Sequence, residues 1–264
     1  MMEYLKEYYE SHDEDGRLIS KHGKIEYITT MKYIHRYAMK TNAKRIVEIG
    51  AGTGRYSVAL AKEGFDVTAV ELVEHNLQIL QSKLNGGEKL STYQGNAVDL
   101  SAFEDGEFDM TLLLGPMYHL FTFEDKKKAL GEAVRITKPG GSILVAYCMN
   151  EATVIQFAFL KNNVGYIEEK DLITPDWHCK SGPEELFDLV RTEDIEELDK
   201  TAPVTREKLI ATDGAAHYIR AAIDAMDDHT YEKWIEYHLA TCERQDIIGA
   251  SNHTLDILIK NDVL

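Results

Sequence analysis

The stretch that most restricts the fold is Arg45-Ile46-Val47-Glu48-Ile49-Gly50-Ala51-Gly52-Thr53-Gly54-Arg55-Tyr56-Ser57. Ile46, Val47 and Ile49 make a short β-branched apolar run, the composition of a buried strand. Three glycines follow at alternate positions. Residues 56–63 then carry a helical pattern that stops at Gly64. Strand, glycine turn and helix in that order is the layout of a βαβ nucleotide-binding unit. Glycine lets the backbone approach a ligand closely, and a helix start presents unpaired N–H groups to an anion.

Spacing narrows the choice of nucleotide. A dinucleotide fingerprint G-x-G-x-x-G needs a glycine where this chain has Arg55. The pattern here is Glu48-x-Gly50-x-Gly52-x-Gly54. A second strand reads over 66–70 and ends at Glu71, 17 residues beyond Gly54 (71 − 54). A carboxylate in that place can accept both hydroxyls of a ribose.

The same alternation continues. Leu72, Leu77, Leu80 and Leu84 fall at helical spacing, and Asn85-Gly86-Gly87 ends that helix. Residues 90–95 read as a third strand, followed by Asn96-Ala97-Val98-Asp99. Phe108-Asp109 opens a fourth apolar strand, which leaves through Gly115-Pro116-Met117-Tyr118-His119-Leu120. A helix over 124–137, the turn Lys138-Pro139-Gly140-Gly141 and a strand over 141–147 complete five rounds. Such alternation predicts a parallel sheet with helices on both faces. Ligands of open α/β sheets lie outside the strands' carboxyl ends, which places Tyr118 and His119 beside the reaction centre.

The glycine turn, Glu71, Asn96-Ala97, Phe108-Asp109 and Pro139-Gly140-Gly141 stand in the order found in class I S-adenosylmethionine-dependent methyltransferases, which residues 40–150 resemble. Asn96 departs from the acid usual at that place. The tail from Cys242-Glu243-Arg244 to Gly249-Ala250-Ser251-Asn252-His253 resembles that of bacterial small-molecule methyltransferases. The resemblance implies a Rossmann-like, seven-stranded, mostly parallel α/β sheet with helices on both faces and a helical cap. It implies S-adenosyl-L-methionine as cofactor and a small-molecule acceptor. It implies, too, that Gly50, Gly52 and Gly54 carry the methionyl part, with Glu48 near its ammonium end. Glu71 would hold the ribose, Asn96 and Ala97 the adenine, and Leu114 and Gly115 the methyl side. Ala51, Tyr56 and Leu72 complete the implied cofactor site.

His119 is the candidate base, because its pKa lies near neutrality and its loop leaves the fourth strand. It could equally hydrogen-bond the cap or the cofactor's carboxylate. Tyr118 is the second catalytic candidate, with a packing role as its alternative. His178, Arg244, Asn252 and His253 are weaker candidates.

Three segments are expected: a helical N-terminal segment over the cleft at 1–40, a cofactor domain at 41–204 and 251–264, and a helical cap at 205–250. In the first, Tyr4, Leu5, Tyr8 and Tyr9 share a face, which His12-Asp13-Glu14-Asp15-Gly16 breaks. Helices are expected at 24–40, 151–160, 183–190, 205–227 and 230–244. Strands are expected at 195–198 and 253–260.

A net charge of −16 disfavours nucleic-acid partners. No apolar run approaches the roughly 20 residues of a membrane span, and the N-terminus shows no signal peptide. Three dispersed cysteines fit a reducing cytoplasm. The ten histidines show no ligand spacing such as HExxH, so no metal is expected. Oligomeric state and acceptor stay open. A nicotinamide-dependent oxidoreductase is the alternative that Arg55 and Pro139-Gly140-Gly141 disfavour. A non-catalytic cofactor-binding module is the other, disfavoured by the Tyr118-His119 loop and the cap.

Overall fold

The computed structural model describes residues 4, 5, 8, 9, 16 and 18–262. Helix α1 (Lys21–Thr41) starts at Ser20, whose hydroxyl accepts from Gly23 N–H. It ends at Asn42, in the left-handed conformation at φ 52°. Then come β1 (Arg45–Ile49), α2 (Arg55–Lys62), β2 (Asp66–Glu71), α3 (Glu74–Ser82), β3 (Leu90–Gln94), β4 (Phe108–Leu113), α4 (Phe123–Ile136) and β5 (Thr137–Cys148). After short helical segments at Asn150–Thr153, Val154–Phe159 and Val164–Glu169 and a loop follow α5 (Thr192–Asp199), β6 (Val204–Ala211), α6 (Asp228–Thr241) and β7 (His253–Lys260).

The seven strands form one sheet in the order β3-β2-β1-β4-β5-β7-β6. All neighbours are parallel except the β5–β7 and β7–β6 pairs. One face is covered by α4 and α5, with Leu130, Ala133, Ile195 and Leu198 packed on Leu113, Ile143 and Val145. The other is covered by α1 and α2, with Tyr33, Ile34, Tyr37 and Leu60 on Ile46, Met110 and Leu144. Burial on both faces is why the central strands read as unbroken apolar runs. No described helix is long and apolar enough to cross a membrane.

The expected seven-stranded sheet is present, and the differences lie after residue 150. The segment 195–198 is not a strand. It belongs to α5, whose Ile195 and Leu198 are buried three residues apart, a helical spacing. The helix expected over 205–227 is instead strand β6 up to Ala211, with a short helix only at Arg220–Asp224. The segment between the last two strands is therefore 212–252 rather than 205–250. β6 hides its two-residue period because an inward position carries a charge: Arg206 reaches Asp256 on β7, at 2.9 Å to Oδ1, and Asp199 on α5, at 2.7 Å. Residues 183–190 form no helix. Val190 bridges to Met149, and Leu186 takes φ 69°. The acidic run His12–Asp15 lies outside the described residues.

Candidate functional site

β1 ends where Gly50 and Ala51 both donate to the Val70 carbonyl of β2, at 2.8 and 3.0 Å. The turn that follows leaves Gly54 at φ 82° as the start of α2, with no side-chain cap. Glu48 supplies the missing acceptor. Its carboxyl group takes the N–H of Ser57 at 2.9 Å and, more closely, the Ser57 hydroxyl. Glu48 is fully buried, and burial pushes its pKa up to about 8; the two Ser57 bonds oppose that rise and the Glu71 charge adds to it.

Glu71 closes the turn from the other side. One oxygen accepts from Gly52 N–H at 2.7 Å and the other from Val73 N–H at 2.8 Å. Burial raises its pKa, against the pull of these backbone bonds. The Asn76 side chain and the Leu72 backbone also hydrogen-bond this carboxylate, so the protein itself addresses most of its acceptor positions.

Two glycines answer to the protein itself. A Cβ on Gly50 would stand 2.6 Å from Pro116 Cδ, and one on Gly54 would stand 2.5 Å from Leu80 Cγ. Gly50 thus lets the exit loop of β4 close over β1, and Gly54 lets α3 pack against the start of α2. Gly50 and Gly52 border the cavity described next and Gly54 does not.

That cavity lies at the carboxyl ends of β1, β2 and β4. Glu48, Gly50, Ala51, Gly52, Tyr56, Glu71, Leu72, Asn96, Ala97, Leu114, Gly115, Tyr118 and His119 all border it. Other residues not named as site residues also border it. Leu5, Tyr9 and Leu18 enter from the N-terminal segment, which the sequence places over the cleft with Leu5 and Tyr9 on one face. Pro183 and Leu186 enter from the loop after β5, which no sequence signal marked. Among the described residues, 212–252 contributes none to this wall, and neither do His178, Arg244, Asn252 or His253. His178 pairs with Asp194 at 3.1 Å, and Arg244 with Asp246 at 2.8 Å on the exposed surface.

His119 is fixed from both ring nitrogens. Nδ1 lies 2.9 Å from the Leu186 carbonyl, which can only accept, so Nδ1 carries the proton. Nε2 is then an acceptor, and the Tyr9 hydroxyl donates to it at 2.8 Å. Burial lowers the pKa to about 4, with the Leu186 bond opposing, so the ring is neutral at pH 7. Tyr9, Tyr118 and Phe187 surround it, with ring centroids 4.8–5.7 Å away. The Tyr118 hydroxyl donates to the Leu114 carbonyl at 3.2 Å. Asn96 turns its own loop, accepting from Val98 N–H at 3.2 Å.

Residues 47–145 match a family model described as a methyltransferase domain. The chain is 33% identical over 102 residues to demethylmenaquinone methyltransferase of Clavibacter sepedonicus, covering 39% of this chain and 40% of that one. It is 30% identical over 145 residues to glycine/sarcosine N-methyltransferase of Parasynechococcus marenigrum, covering 54% and 51%. The chain thus spans about half or less of these relatives' length. The PH0226 protein of Pyrococcus horikoshii shares the fold, with a TM-score of 0.60 at 17% identity over 97% of this chain and 99% of that one.

Proposed function

We propose that this chain, whose residues 47–145 form a class I S-adenosylmethionine-dependent methyltransferase domain, methylates a hydroxylated, largely apolar small molecule. The observation that carries the reading is a single cavity holding the Glu71 carboxylate at one end and a neutral His119 at the other. The residues fit the cofactor. Glu71 stands at the end of β2, where a ribose could exchange for one of its present donors. Glu48 offers a carboxyl group that a nearby cation would ionise. Ala51, Gly52, Thr53 and Tyr56 border the same cavity. Asn96, Ala97 and Leu72 border the base end, and Leu114 and Gly115 the side facing His119.

Bound S-adenosyl-L-methionine supplies a methyl group already activated on a sulfonium. The chain's own task is to place the acceptor in line and keep water out. Leu5, Leu18, Leu120, Phe121 and Leu186 give the His119 side an apolar wall, which favours a ring over an amino acid. The acceptor hydroxyl takes the place at Nε2 now filled by the Tyr9 hydroxyl. His119 Nε2 would take up the hydroxyl's proton as the oxygen receives the methyl group and the electron pair of the broken C–S bond stays on sulfur. Tyr118, bonded to Leu114, shapes the wall rather than moving a proton. The names of the two relatives bracket the choice, a quinone-type ring against a small amine, and the aromatic wall supports the ring. Free Cys148, Cys179 and Cys242 support a reducing, cytoplasmic setting.

The test is product formation. The chain is incubated with S-adenosyl-L-methionine and either simple dihydroxybenzenes or glycine and sarcosine, and S-adenosylhomocysteine is quantified. Preferential turnover of the rings is expected; preference for the amines overturns the acceptor class. Thermal stabilisation by NAD in place of S-adenosylhomocysteine overturns the whole reading.

A further inference from the structure

A second concentration of chemistry lies at the same edge of the sheet, on its β5–β7–β6 side. β6 ends at Ala211 and β7 begins at His253, and Asp213 joins the two ends of the intervening segment. Asp213 is fully buried. Its Oδ1 accepts three bonds, from Ser251 Oγ at 2.7 Å, Asn252 N–H at 3.0 Å and His253 N–H at 3.1 Å. Its Oδ2 faces two imidazoles, with His253 Nδ1 at 2.7 Å and His217 Nε2 at 3.3 Å. From α1, Glu26 brings Oε2 to 3.5 Å from His253 Nδ1. The donor atoms of Asp213, His217 and His253 all lie within 4.8 Å of one another. None of these four residues borders the cavity described above.

We propose that Asp213, His217, His253 and Glu26 bind one divalent transition-metal ion, with zinc the best match to the donors. Two imidazoles and two carboxylates suit zinc and its first-row neighbours. Tetrahedral bonds of about 2.0–2.1 Å hold neighbouring donors about 3.3 Å apart. Of the six edges, Asp213–His253 is 2.7 Å, Asp213–His217 is 3.3 Å and His253–Glu26 is 3.5 Å; Asp213, His217 and His253 form the close group, and Glu26 completes it by moving in from α1. The shortest must open by about 0.6 Å, which follows once the proton between Asp213 and His253 leaves.

Two further features argue for a built site. Asp213 is oriented by the three bonds to Oδ1, which leave Oδ2 for the ion; this is the outer-shell fixing that metal ligands receive. Behind His217 stands His22, with ring centroids 5.6 Å apart, itself held by Asp224 at 2.7 Å.

The ligands come from three separate segments, spanning 227 residues (253 − 26). Only the Asp213–His217 spacing of four is local. That is why no ligand motif was visible in the sequence, and why none was expected. The ion would fasten both ends of the 212–252 segment to α1, independently of any methyl transfer.

The full chain, stripped with EDTA and dialysed, is titrated with ZnCl2 against a chromogenic chelator, and separately with Co²⁺ under visible spectroscopy. The expected result is one equivalent bound with a sub-micromolar Kd, tetrahedral Co²⁺ bands, and a rise in Tm of about 4 °C or more. His217→Ala is expected to weaken affinity by about 100-fold, and Glu26→Gln by about 10-fold, while exposed His75→Ala leaves it unchanged. Failure to bind one equivalent, or equal affinity in the wild type, His217→Ala and Glu26→Gln, overturns the site and leaves a proton-held cluster.

Discussion

The two halves of the sheet's carboxyl edge are built by opposite means. Over β1, β2 and β4 the edge is mostly backbone: the N–H groups of Ser57, Gly52 and Val73 satisfied by Glu48 and Glu71, and a cavity walled by apolar side chains. Over β5, β7 and β6 it is mostly side chain: imidazoles and carboxylates paired between the strand ends, with a guanidinium pairing two further carboxylates farther along the same strands. The first half uses groups close in sequence, because a turn must satisfy its own backbone. The second uses residues far apart, because charges buried between strands must find whichever partner the fold supplies. A ligand-binding edge and a clamped edge therefore share one sheet.

The sharpest break between them is His119. If it serves the first half as base, His119→Ala lowers kcat by about 10²- to 10⁴-fold and leaves S-adenosylhomocysteine affinity nearly unchanged, with kcat measured below the lowered Tm of the variant. The pH profile adds a separate reading. The base must be neutral, and burial holds its pKa at about 4, so kcat/KM should stay level from pH 5 to 7 and fall only near pH 4. An inflection near 6.5 would show that the reacting group is not this imidazole.

Next comes the clamped half. Arg206 holds both Asp256, which is fully buried, and Asp199. Arg206→Met leaves two carboxylates side by side, and should destabilise the chain by about 3–5 kcal/mol in urea unfolding. A loss below about 1 kcal/mol would mean that water already reaches the pair.

A smaller effect tests the backbone half. Gly54→Ala forces a Cβ toward Leu80 at a φ of 82°, and should cost about 2–4 kcal/mol without altering the cavity wall. Gly131 lies in α4 with nothing within 4 Å of the same position, so Gly131→Ala should stabilise by about 0.5–1 kcal/mol. Equal Tm values for the two variants would remove Leu80 from the account.

This contrast also explains what could be read beforehand. The glycine turn, Glu71 and the strand-four exit were legible because each is one contiguous piece whose spacing mirrors its hydrogen bonds. The strand at 204–211 was not, because Arg206 puts a charge where the period calls for an apolar residue. The His119 tautomer was out of reach, since it is set by the carbonyl of Leu186, 67 residues away, in a loop held at positive φ. The packing demand on Gly54 was out of reach for a related reason: the contact that requires glycine is with Leu80, on another helix.

Glu48 gives the smallest effect and the most direct link between the buried carboxyls and the ligand. In the folded chain it keeps its proton up to about pH 8, against 4.5 for a free side chain. The folded state thus holds this proton more tightly. The associated stability is complete below about pH 4.5 and is lost as pH rises through about 8. A cation bound beside Glu48 reverses the preference and ionises it. Below pH 8, binding must then expel a proton, and affinity should strengthen by less than tenfold between pH 7 and 8. Calorimetry of S-adenosyl-L-methionine binding in buffers of different ionisation enthalpy measures that proton directly. Glu48→Gln should abolish both the release and the pH slope. A wild-type enthalpy independent of buffer would place the cofactor's ammonium group away from Glu48, and leave that carboxyl as the cap of α2 alone.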